Sequence, residues 1–149
     1  MKKLRISLIC LAFFGFASTA SAQIRVENAW VRATVPNQQA TGAFLKITTV
    51  DAMRLVAVSS AAAKISEIHE MKMESGIMKM RALPEGLVIA ANTTLELKSG
   101  GYHVMMMELT QTIKAGDMVP LQLHFVDAKG KKQVLGVEAK AGFKDPYEP

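Results

Sequence analysis

The sequence predicts one all-β domain, a sandwich or barrel of short strands. Turn signals recur every roughly 8–12 residues, the spacing of small β-domains. The runs between them are short, rich in β-branched and other apolar residues, and bounded by Gly, Pro, Asn, Asp or Ser. No internal repeat and no long linker interrupts this pattern.

The first run, 25–34 (RVENAWVRAT), is β-rich around Val26, Trp30 and Val31. Val35-Pro36-Asn37-Gln38-Gln39 is a loop. Strands follow at 42–50 and 54–59. Residues 59–67 (SSAAAKISE) are the best helical candidate, because alanine favours helix; Ile65 and Ile68 equally suit the start of a strand. Residues 64–73 and 77–83 flank Glu74-Ser75-Gly76 as a hairpin. Pro84-Glu85-Gly86 turns the chain into short strands at 87–90 and 94–98. Ser99-Gly100-Gly101 precedes a strand at 102–109. Lys114 to Asp117 is a turn before 119–127, and Ala128 to Lys131 one before 132–139.

The N-terminus reads as an export signal. Met1 to Arg5 is basic, Ile6 to Ala17 is apolar, and Ala20-Ser21-Ala22 is a small-residue cleavage site. The apolar run falls short of the about 20 residues that span a bilayer. The expected organisation is a cleaved signal at 1–22, a β-domain at 23–140 and a tail at 141–149, with no stable membrane insertion after cleavage. Cys10, the sole cysteine, lies inside the signal. As a lipid anchor it would cut the apolar run in half. Without the leader the chain has no thiol for a disulfide or a metal. Loss of Lys2, Lys3 and Arg5 leaves 15 basic against 13 acidic residues, and nothing marks the clustered basic face of a nucleic-acid partner.

The chemistry concentrates between His69 and Met107, which hold two of three histidines and seven of ten methionines. Thioether sulfur is a soft neutral ligand and imidazole suits copper. Side chains alternate along a strand. His69, Met71 and Met73 therefore share one face, Met78 and Met80 another, and His103, Met105 and Met107 a third. A two-residue loop at Ser75-Gly76 is expected to pair Met71 with Met80, and a four-residue loop at Glu74 to Ile77 to pair His69 with Met80. Both put sulfur and imidazole on one face, whereas a three-residue loop separates them. The candidate set is His69, Met80, His103 and Met105 around one Cu(I). Methionine is also a pliable core filler, which accounts for any one pair and for Met106. It accounts less well for two histidines heading methionine series, since histidine is not a preferred core residue. His124 alternates with core-facing Leu121, Leu123 and Phe125 and is expected at the surface; Trp30 is expected in the core.

The run His69-Glu70-Met71, Met80 after ten intervening residues, and His103-x-Met105 resembles the PCu(A)C family of periplasmic copper chaperones. Met80 and His103 are separated by twenty-two residues, one more than the family pattern, so Met78 and Met71 stay beside Met80 as candidate thioethers. The Asn28 to Arg32 opening and residues 95–107 carry the same resemblance. It implies a cupredoxin-like Greek-key β-sandwich or barrel with Cu(I) near the surface at one end. It also implies carriage in the periplasm and delivery to a terminal oxidase, through an oxidase subunit or an assembly factor. The His/Met-rich tail of some members is absent after His124.

Competing functions make different demands. A blue-copper centre needs a thiolate. A zinc enzyme needs a third nitrogen or carboxylate ligand. No nucleophile–base pair or phosphate loop marks an enzyme. The alternative is a metal-free β-scaffold or interaction module with its methionines in the core. If histidines ligate, Cu(I) affinity weakens as pH falls through about 6.

Overall fold

The computed structural model describes residues 24–147; the expected signal, including Cys10, lies outside them. Ten strands form one sheet: β1 (Ile24–Arg32), β2 (Ala40–Thr49), β3 (Met53–Ser59), β4 (Ala63–Glu74), β5 (Ile77–Ala82), β6 (Leu87–Ile89), β7 (Thr93–Leu97), β8 (Tyr102–Leu109), β9 (Met118–Asp127) and β10 (Lys132–Gly142). No helix occurs among the described residues. The order is β5-β4-β8-β7-β2-β1-β10-β9-β3-β6, with β8 also pairing β2. All pairings are antiparallel except β1–β10 and the short β7–β8 contact. β2 thus meets β7 and β8 across several intervening strands, the long return that marks a Greek key. β10 carries the sheet through Gly142, with Ala141 buried.

Alternation supplies the core. Ala43, Leu45 and Ile47 of β2, Ile68 of β4, Val104 and Met106 of β8, and Val119, Leu121, Leu123 and Phe125 of β9 are buried in one cluster. Each of these four strands therefore has an inward apolar set and an outward set free for other work.

Residues 59–67 are not helical. β3 ends at Ser59, a tight turn with a Ser60–Ala63 bridge follows, and β4 begins at Ala63. Ser60 Oγ accepts from Ala62 N at 3.2 Å and donates to Pro120 O at 2.7 Å. Serine that bonds nearby backbone competes with helix, and three alanines are too few to meet the cost of helix nucleation unaided. Their small size instead lets Ala62 and Ala63 sit buried where the chain reverses.

A bulge re-aims β1. Asn28 has φ 53°, and the β1–β2 register shifts between Glu27 and Trp30. An extra residue in one strand changes which side chains face the core. Trp30 is buried as expected, yet it lies outside the main core cluster. It pairs with Phe44, and the two rings stack at 4.6 Å. The outer face of β1–β2 thus has its own aromatic cluster beside β8.

Candidate metal centre

The site is built on the outward faces of β4, β5, β8 and β2. β4 and β8 run antiparallel in a register that sets His69 opposite His103 and Glu67 opposite Met105. The turn at Ser75-Gly76 has two residues, both with positive φ (52° and 80°). This is the twist that a two-residue hairpin requires, and Gly76 adopts it without a Cβ penalty. The hairpin therefore closes with Met71 opposite Met80 and Met73 opposite Met78, the first of the two registers open to the sequence. His69 stands opposite Ala82 instead, because a loop centred on Ser75-Gly76, whether of two residues or of four from Glu74 to Ile77, leaves Met71 and not His69 opposite Met80.

Met80, His103 and Met105 line one open cavity of about 300 Å³, together with Met71, Arg32, Thr41, Gly42, Phe44 and Gly100. His69 lies beside it, its ring edge-on to His103 at 5.8 Å between centroids. The histidines are 9 % and 5 % exposed, while Met80 is 49 % exposed. The arrangement is graded, with imidazoles at the base and a thioether at the rim. A cavity of similar size among Asp51, Met53, Asp127 and Lys129 holds none of the candidate donors.

The imidazoles have defined partners. His103 Nδ1–H donates to Gly101 O at 3.1 Å, which leaves Nε2 with its lone pair. Burial holds the His103 pKa below the ordinary imidazole value; the Gly101 carbonyl opposes that shift and the nearby His69 adds to it. His69 Nε2 bonds Glu67 Oε2 at 2.9 Å, and its Nδ1 is buried with no partner. A carboxylate holding one ring nitrogen while the other stays free is the usual support of a metal-bound histidine. Glu67 was not singled out from the sequence, although its i−2 spacing puts it on the face of His69.

The far wall comes from β1 and β2. The centroid of Phe44 lies 6.4 Å from that of His103, and the Arg32 guanidinium sits 5.7 Å over the Phe44 ring. Phe44 also folds over Gly42, where a Cβ would meet the ring at 2.8 Å. Gly42 stands opposite Met105, so a larger residue there would force the Phe44 ring beside the site to shift.

Other expectations fall out by alternation. Met106 is fully buried in the core. His124 is half-buried on the outer side of β9, with Nε2 3.0 Å from Ser59 Oγ, remote from the β4–β8 donors in strand order. Met118 is exposed, and Met53 is buried in the core. Among the described residues no group of three or more His, Cys, Asp or Glu gathers to hold a metal.

Known proteins resemble this chain in sequence or in fold. The putative lipoprotein Lxx21020 of Leifsonia xyli subsp. xyli is 29 % identical over 125 residues, covering 84 % of this chain and 75 % of its own. The solution structure of CuI-DR1885 from Deinococcus radiodurans matches with TM-score 0.59 and 27 % identity, covering 83 % of this chain and 78 % of its own. The copper-bound PCuAC domain from PmoF2 matches with TM-score 0.59 and 16 % identity, over 80 % and 93 % of the two chains. A family model described as putative lipoprotein LpqE-like matches residues 24–137. The chain therefore belongs to the LpqE-like family, and its ten-stranded sheet has the fold of the PCuAC copper domains.

Proposed function

We propose that this protein is a periplasmic copper chaperone that binds Cu(I) through His69, Met80, His103 and Met105. The observation that carries the proposal is the facing of His69 and His103 across β4–β8, with Met105 and Met80 beside them at one cavity. The unpartnered His69 Nδ1 and the free Nε2 of His103 supply two imidazole lone pairs. Of the seven methionines between His69 and Met107, Met106 alone is buried in the core. That distribution disfavours the scaffold alternative, in which these methionines serve packing.

The donor set is neutral, so Cu(I) enters as the only charge among the ligands. Glu67 is the compensating carboxylate, held against His69. Thioethers need no deprotonation, so only the imidazoles make binding compete with protons. Met80, at the rim, is the ligand most open to exchange. An incoming ligand from a copper-accepting protein displaces it first, and the buried histidines release last. A terminal oxidase subunit or its assembly factor is the proposed recipient. Export follows from the leader, with a mature chain starting at Gln23; an acylated Cys10 in the mass of the secreted protein would overturn that start.

Titration of the mature protein with Cu(I) and with Zn(II) under reducing conditions tests the reading. One tight Cu(I) equivalent is expected, weakened by Met80→Ala with the fold retained. Absence of Cu(I) binding sinks the chaperone and favours the scaffold. If Met80→Ala binds normally while Met71→Ala does not, the rim ligand is Met71.

A further inference from the structure

Beyond the inner site, the β4–β5 hairpin carries a second set of sulfurs. β8 pairs with β4 only as far as Glu70, so the rest of the hairpin is a two-stranded ribbon at the edge of the sheet. Every residue of β5 is exposed. On one face of this ribbon stand Met71 opposite Met80 and, next outward, Met73 opposite Met78. The other face is charged: Arg81 bonds Glu70 at 2.6 Å, Lys79 bonds Glu74 at 3.1 Å, and Lys72 lies opposite Lys79. Thioethers and charges are thus fully segregated.

The register brings the outer sulfurs together. A two-residue turn makes Glu74–Ile77 a hydrogen-bonded pair, and the Leu83 N to Ile68 O bond of 2.8 Å continues that alternation. Met73–Met78 and Met71–Met80 are therefore both non-hydrogen-bonded pairs, the kind whose side chains approach most closely, with Cβ atoms about 4.5–5.5 Å apart. Two sulfurs on such a rung can close on one soft ion. Successive rungs lie about 7 Å apart along the strand, a gap that unbranched side chains with three rotatable bonds can span. Met73 and Met78 are 59 % and 43 % exposed, so packing gives no reason for methionine at either position.

We propose that Met73 and Met78 form an outer thioether site for Cu(I), an entry and exit station that exchanges the ion with the inner site through Met71 and Met80. The proposal rests on the copper-carrier reading. It assigns the hairpin tip to the first contact with a donor or recipient of Cu(I). The ion changes neither oxidation state nor charge along the way; one thioether bond forms as another breaks.

The test is Cu(I) titration of the mature full-length chain carrying Met73→Leu and Met78→Leu, against a chromophoric Cu(I) chelator under reducing conditions. Methyl signals of the methionines are followed by NMR in the unsubstituted protein. Leucine keeps the apolar surface and removes the sulfur. The unsubstituted protein should bind one tight and one weaker equivalent, with the Met73 and Met78 methyls moving during the second. The double variant should keep the first equivalent at unchanged affinity and lose the second. It should also transfer Cu(I) to the chelator about tenfold more slowly, the lower end of what loss of a supporting partner costs a metal site. A single equivalent in both proteins with equal transfer rates overturns the outer station and leaves the inner site standing. No Cu(I) bound by either protein overturns both. Equal behaviour of variant and parent towards a second equivalent would assign that equivalent elsewhere and overturn the outer station.

Discussion

The two faces of β8 do different jobs with the same kind of residue. Val104 and Met106 point inward and are fully buried in the core, while His103 and Met105 point outward into the cavity. On β4 the same division separates inward Ile68 from outward Glu67 and His69. Met105 and Met106 are neighbours in sequence. One fills space among aliphatic side chains, where its flexibility and dispersion matter. The other stands beside an imidazole with its sulfur lone pairs available. Position on the pleat, not residue type, decides which property each methionine can use.

Substitutions on the two faces should therefore separate stability from metal binding. The largest effect is expected on the inward face. Met106→Ala leaves a cavity in the core and should cost about 2–5 kcal/mol, read by denaturant unfolding, while Cu(I) stoichiometry below the transition stays at the parent value. Loss of stoichiometry in the folded variant would break the division between faces.

His103→Ala should do the reverse. Its Cu(I) affinity should fall by more than the roughly 10–100-fold that loss of a supporting group costs, with less change in unfolding free energy than Met106→Ala. Next in size is Glu67→Gln, which keeps the shape but weakens the bond to His69. An affinity loss of about tenfold is expected, and an unchanged constant would remove Glu67 from the site.

The smallest effect is a pH dependence of the copper-free protein. Burial lowers the His103 pKa in the fold, so the unfolded chain binds this proton more readily. Stability from this group is complete above the ordinary value of about 6.5. It is lost as pH falls from there through the lowered folded value. Melting followed across that window should show the decline, and His103→Ala should flatten it. The same lowering lets the neutral ring persist into mildly acidic solution, so Cu(I) binding should extend there before protons displace the ion.

Much of this molecule was legible in its residues. The ten strands follow the apolar runs to within a few residues, because alternation and Gly- or Asn-marked turns are local signals. The shared face of His103 and Met105 was legible too, since i, i+2 spacing puts both on one side of any strand. The run 59–67 misled because alanine's helix preference is weak and yields to strand pairing; there the chain turns under Ser60 and joins β8. The aromatic wall was not legible. Trp30 reaches the outer face through a bulge at Asn28, and Phe44 meets His103 only because β2 lies beside β8.

The sequence by itself determined the strands, the chemistry of the candidate donors and their grouping by face, for these depend on residue type and a period of two. Only the tertiary structure decided that His69 would stand opposite His103, that Met71 rather than His69 would oppose Met80, and that Phe44 and Arg32 would close the far wall. Those outcomes depend on register and on neighbours distant in the chain. Turn geometry and the burial of each strand's inward face set them, and no local pattern carries that information.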